Sequence, residues 1–261
     1  MTSSPPSFSA SSGAAGTHAS DLDATAEARG LTWRSYAGLP VLLLALHAVL
    51  AWIGRSPGIL TRQDDTRYLM LARALRHGQY RDLMWPDAPP HHLYPPGYPA
   101  LLALWTAIGG EGFDWLVSLH VLMSVATLAL AFLAMRKAFG PTVVLCALAV
   151  LAVNPSLLEW SGQVASESAL ALAIALAVYA ATCLPEGTAK HTALALAALS
   201  APFMRTAGIV VPVAVVLYYV AERQYKRALV FAVCSALVLV PLLWWTLNDP
   251  YAVVGSSYAA D

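Results

Sequence analysis

The chain has 261 residues, of which 58% are hydrophobic and 11% charged, and its 15 Lys and Arg balance its 15 Asp and Glu. A soluble domain carries about 25% charged residues, so a water-soluble enzyme, a disordered chain and a coiled coil all fit poorly. Charge balance also removes the long-range basic field that would grip nucleic acid, and no such partner is expected.

In chain order, residues 1–30 are dominated by Ser, Ala, Thr and Gly and read as a disordered cytoplasmic tail. The first basic residue is Arg29 and the first apolar run begins near Tyr36, which is not the layout of a cleaved secretory signal. Spanning about 30 Å of hydrocarbon takes about 20 apolar residues. Seven segments come close: 36–54, 114–135, 141–158, 164–184, 190–204, 208–221 and 228–247. The fifth and sixth are short, and Pro202 to Gly208 between them predicts a tight hairpin. The run 98–108 covers about half a bilayer and is expected to lie in the interface. Residues 31–261 thus read as one all-α polytopic bundle of about seven spans, with amphipathic helices beside the membrane in its first outside loop. Cys146, Cys183 and Cys234 sit in apolar runs with no disulfide or zinc spacing.

With the tail inside, the short inner loops hold Arg29 and Arg34, Arg136 and Lys137, Lys190, and then Arg223, Lys226 and Arg227. The short outer segments 155–163 and 248–261 hold no Lys or Arg, as the positive-inside rule requires. The exception is the outer segment 55–113, with Arg55, Arg62, Arg67, Arg73, Arg76 and Arg81. A translocated loop that keeps six arginines is expected to use them.

Within it, Tyr68, Leu71, Ala72 and Leu75 fall at helical spacing, and Gly78 ends the helix. By angle, Asp64 and Arg67 flank this apolar stripe, so Asp64 is expected to face protein or lipid and Asp65 to face water. Two acids opening a helix, with Thr61 as cap, also suit simple dipole complementation. The prolines from Pro89 to Pro99 then fix extended backbone and are expected to hold His91, His92 and Tyr94 at the surface.

Asp64-Asp65-Thr66-Arg67-Tyr68, the following Ala72, Leu75, Gly78 and Tyr80, and Tyr94-Pro95-Pro96-Gly97-Tyr98-Pro99 resemble the first extracytoplasmic loop of the GT-C glycosyltransferase superfamily. The nearest branch holds the protein O-mannosyltransferases and the lipid A aminoarabinose transferases. Asn154-Pro155 with Ser166-Glu167, Arg205 with Gly208, and Pro241, Trp245 and Asn248 extend the likeness over about 36–261. The resemblance implies transfer of a sugar from a polyprenyl-phosphate donor to an extracytoplasmic acceptor, with inversion, in a bacterial-type plasma membrane. By position it makes Asp64 the catalytic aspartate and Arg67 the residue holding the donor phosphate. Where the aminoarabinose transferases carry a lysine before the first proline of this element, this chain has Tyr94.

The residue types suit that chemistry. An attacking hydroxyl needs a carboxylate base, and a departing lipid phosphate needs positioned guanidinium donors. The candidate site is therefore Asp64 and Asp65, with Arg67, Tyr68, His91, His92, Tyr94, Glu167 and Arg205 as substrate contacts. Several have plainer readings: Glu167 as a first-turn dipole residue, Arg205 as a snorkelling interfacial charge, and the histidine pair as surface loop. No cofactor is assigned, and a divalent metal is left open, with His91 and His92 able to bind metal or phosphate. A flippase of lipid-linked sugars and a truncated, noncatalytic membrane partner are the alternatives, the latter because the chain stops at Asp261 just after a span where family members usually continue.

Overall fold

The computed structural model describes residues 33–56 and 63–247. The expected tail, the cap Thr61, Arg62 and Asn248 lie outside them. Among the described residues the ordered elements are helices: α1 (Leu39–Ile53), α2 (Gln63–Arg76), α3 (Gly97–Gly109), α4 (Phe113–Met135), α5 (Pro141–Ala152), α6 (Pro155–Ser161), α7 (Ser166–Cys183), α8 (Thr188–Met204), α9 (Val210–Ala221) and α10 (Tyr225–Leu247). Short 3-10 turns occupy Trp33–Tyr36 and Thr206–Ile209.

This is an all-α membrane protein, with apolar side chains such as Val41 and Ile53 on α1 and Leu237 and Leu247 on α10 left on its outer surface. Three helices, α4, α7 and α10, are long and apolar enough to cross a membrane alone, or four spans exist if α5 and α6 count as one. Among the described residues, seven full-length spans are thus not found. The stretch read as one span over 141–158 bends by 55° at its break. Pro155 at the start of α6 cannot donate to the preceding turn, and the Asn154 side chain caps the new helix by accepting from the Leu157 amide at 3.1 Å.

Small residues set the central packing. Ala173, Ala177 and Ala180 of α7 lie against Leu194, Ala197, Ala198 and Ala201 of α8, so the two backbones approach closely. The helix α9 returns antiparallel on the same cluster through Val211, Val215 and Tyr219, which is the hairpin read from Pro202–Gly208. A buried His47 ties three helices together: one ring nitrogen lies 2.7 Å from Ser124 Oγ and the other 2.8 Å from the Ala152 carbonyl. Polar groups inside an apolar bundle must find such partners.

The connections sort to two ends. At one end Arg136 lies over Trp33, the Cys183 thiol donates to the Leu133 carbonyl, and Arg227 donates to Glu186. At the other, the Ser56 amide donates to Gly162, Arg55 pairs with Asp114, and His92 meets the Trp245 carbonyl. Both ends of α3 stay at this second end. Gly97 abuts Phe203 and Gly109 abuts Trp115, so α3 does not cross, in line with the interfacial helix expected over 98–108. The indoles of Trp105 and Trp115 stack and each donates to the other's carbonyl, at 2.8 and 2.9 Å, clasping α3 to α4.

Candidate active site

The α2 helix opens on Asp64 and Asp65, and Gly78 follows it with φ of 72°, the left-handed turn that glycine takes without strain. Its buried face is wider than the Tyr68–Leu75 stripe, since Leu69 and Ala74 are buried as well. The α3 residues Tyr98 and Leu102 cover one flank and Tyr94 packs on the same cluster. The acidic pair is consequently reversed from expectation. Asp65 shares its side with Leu69 and Ala72 and is 2% exposed, whereas Asp64 is exposed. A single covered stripe would have turned Asp65 to water; a helix covered on two flanks does not.

Asp64 is nonetheless engaged with the loop. The Tyr94 hydroxyl donates to Asp64 Oδ1, and the Tyr94 ring packs 4.8 Å from that of Tyr68. Burial first, and then the bond to Asp64, pushes the Tyr94 hydroxyl up from its ordinary value, so it keeps its proton at neutral pH. Arg67 lies over the same ring, with its guanidinium carbon 5.9 Å from the centroid. Tyr94 is therefore the surface that brings Asp64 and Arg67 together.

Behind Arg67 is a residue that the helical spacing did not reveal. Asp82 is 7% exposed, and its Oδ2 lies 3.6 Å from Arg67 Nε and 3.6 Å from His91 Nδ1. A short two-stranded turn places it: Arg81 bridges Pro90, the Asp82 amide donates to the Pro89 carbonyl, and the Met84 amide donates to Asp82 Oδ1 at 3.1 Å. His91 is buried rather than held at the surface, stacked on Tyr94 and accepting the Tyr94 amide on Nε2 at 3.0 Å. The available sequence signal was a lone acid following Arg81 in a loop of six arginines.

A second group adjoins the first through Tyr68. The Tyr68 hydroxyl lies 3.1 Å from Ser166 Oγ, to which Arg205 also donates at 3.4 Å, and Arg205 forms an ion pair with Glu167. Burial, chiefly, raises the Tyr68 hydroxyl. Glue for this arrangement comes from two glycines. A Cβ on Gly97 would fall 2.7 Å from the Phe203 carbonyl oxygen, and one on Gly208 2.2 Å from that of Ala201, so only glycine lets α3 and the turn after Arg205 reach the end of α8.

Seven of the nine sequence candidates thus converge: Asp64, Arg67, Tyr68, His91, Tyr94, Glu167 and Arg205. Asp65 lies beneath them, and His92 turns away to Trp245. Of the other loop arginines, Arg73 and Arg76 pair with Glu111 and Arg55 with Asp114, holding the segment to itself. A cleft of about 450 Å³ at this end is lined by Ile53, Arg55, Ser56, Gly112, Phe113 and Asp114 and does not include Asp64 or Arg67. Among the described residues, no group of three or more His, Cys, Asp or Glu side chains could hold a metal ion, and His91 and His92 engage different partners.

A family model described as dolichyl-phosphate-mannose-protein mannosyltransferase matches residues 93–245, more than half of the chain. The chain belongs to this family. No curated protein and no solved structure matches it. Membership in this mannosyltransferase family makes the protein a membrane glycosyltransferase of the GT-C type. The matched region includes Tyr94, Glu167 and Arg205 but begins after Asp64, Arg67, Asp82 and His91. Those four join the family region through the contacts just described.

Proposed function

We propose that the protein moves a sugar from a polyprenyl-phosphate donor to an extracytoplasmic acceptor, lipid, glycan or protein, with inversion, and that Asp64 is the general base. The observation that carries this reading is an exposed carboxylate and a guanidinium on the same tyrosine ring, one helical turn apart, at the end of the bundle where both ends of α3 lie. The Tyr94 hydroxyl fixes one Asp64 oxygen, and the other has no partner among the described residues. That second oxygen accepts the acceptor's hydroxyl proton as its oxygen bonds to the anomeric carbon. The bond from that carbon to the phosphate oxygen breaks on the opposite face, and its electron pair leaves with the lipid phosphate. Arg67 offsets the charge that develops there.

Glu167 and Arg205, adjoining through Ser166 and Tyr68, supply polar contacts to the sugar or the acceptor; Asp65 acts from beneath the helix. Interfacial placement suits a substrate whose tail stays in lipid while its head reacts in water. The extracytoplasmic assignment, in a bacterial-type plasma membrane, rests on Arg136, Lys137, Lys190, Arg223, Lys226 and Arg227 lying toward the opposite end.

The test is transfer in membranes supplied with defined lipid-phosphate sugars. Asp64→Asn is expected to reduce turnover by about 10²–10⁴-fold while the protein stays folded in the membrane. Full activity of this variant would overturn the assignment and favour a transport role.

A further inference from the structure

Arg67 is incompletely held. Its Nε is buried without a hydrogen-bond partner among the described residues, and its ion pair with Asp82, at 3.6 Å, is longer than a hydrogen bond. Asp82, by contrast, is fixed. Its Oδ1 is committed to the Met84 amide, and its side chain is 9% exposed. His91 turns its second ring nitrogen toward the same carboxylate. Because Nε2 accepts the Tyr94 amide, the ring proton is on Nδ1, which lies 3.6 Å from Asp82 Oδ2. A stiff carboxylate therefore lies beside a guanidinium whose hydrogen-bonding capacity is largely unspent, and it competes with any other anion for that cation.

We propose that Asp82 is the resting counter-ion of Arg67, ceding the guanidinium to the donor phosphate and, through its own charge, promoting release of the lipid phosphate after transfer. The inference rests on the reading that Arg67 receives the donor phosphate. Asp82 touches neither sugar nor phosphate and is a positioning residue. When a phosphate occupies Arg67, Asp82 becomes a like charge within about 5–7 Å of it, a repulsion that after screening weakens binding by about tenfold. A carboxylate with a purely structural role gives the opposite sign, since its loss could only loosen the site.

The experiment titrates farnesyl monophosphate onto the full chain in phosphatidylcholine nanodiscs. Asp82→Asn keeps an oxygen for the Met84 amide and removes the charge; it is expected to bind the phosphate about tenfold more tightly, with slower turnover and a lower KM for donor. Asp82→Glu, which keeps the charge, should bind no more tightly than the parent. Asp82→Ser, whose hydroxyl can also accept from the turn amide, stands in if the asparagine variant does not fold. Parent protein that fails to bind the phosphate overturns the donor assignment of Arg67, and this inference with it. Parent binding with equal or weaker binding in the folded neutral variants overturns only the role of Asp82. Failure of both neutral variants to fold assigns the carboxylate to the turn and also rejects the proposal.

Discussion

The two ends of the bundle both collect charge, yet in different ways. At the end bearing Lys190 and Arg227, a single half-exposed carboxylate, Glu186, meets Arg227 at 2.6 Å, His191 at 3.1 Å and Lys190 at 3.4 Å. Arg227 and Glu186 are both about half exposed, and an exposed pair of this kind contributes little. At the α2 end, charges are interleaved with tyrosines, Asp82 is buried, and Arg67 retains an unsatisfied Nε. Charge density therefore does not distinguish a site from an anchor. What sets the α2 end apart is a buried carboxylate beside a guanidinium whose buried Nε is unpaired among the described residues, a cationic donor that gains most from an arriving anion.

The largest expected difference follows directly. Arg67→Gln should lower kcat/KM for the lipid-phosphate donor by about 100-fold, as expected on losing a charge-assisted contact to the departing group. Arg227→Gln should leave transfer unchanged, since its partner Glu186 keeps Lys190 and His191. Parallel kinetics on the two variants measure this, and equal losses would break the comparison.

A backbone contrast comes next. Gly208 at the site end has no room for a Cβ, which would lie 2.2 Å from the Ala201 oxygen, whereas Gly38 at the other end has nothing within 4 Å and ordinary helical φ of −82°. Gly208→Ala should destabilise by about 1–3 kcal/mol through overpacking and move Arg205 off Ser166. Gly38→Ala should stay within about 0.5 kcal/mol of the parent or gain slightly. Thermal unfolding of both in one detergent compares them.

Helical periodicity made much of the scaffold legible. The segments read at 114–135, 164–184 and 228–247 correspond to Phe113–Met135, Ser166–Cys183 and Tyr225–Leu247. Apolar length cannot show where a helix bends, so the break at Asn154-Pro155 was read through although the proline was visible. It also overstated the spans, because α9, at 12 residues, is helical and packed but too short to cross alone. Within the site, α2 was legible because Tyr68, Leu71 and Ala72 share one period. Asp65 was misplaced because the cover on its side comes from α3, well along the chain. Asp82 reaches Arg67 and His91 through a turn that has neither helical nor strand period, so no spacing rule connects them.

Tyr94 offers the smallest and most discriminating change. Its hydroxyl donates to Asp64, while its ring carries the contacts to Arg67, Tyr68 and His91. Tyr94→Phe keeps the ring and deletes one hydrogen bond, so transfer should fall only about three- to tenfold, in kcat rather than in KM for donor. Tyr219→Phe, which deletes the bond to His191 at the other end, should leave transfer as it was. The pH profile sharpens the point. A free phenol ionises near pH 10, but burial and the neighbouring Asp64 carboxylate hold the Tyr94 proton beyond that. Donation to Asp64 therefore persists through the alkaline range, and parent activity should show no Tyr94-dependent fall between about pH 8 and 10. A decline in that interval that vanishes in Tyr94→Phe would mean the hydroxyl ionises at its ordinary value, and the bond orienting Asp64 would lose its basis.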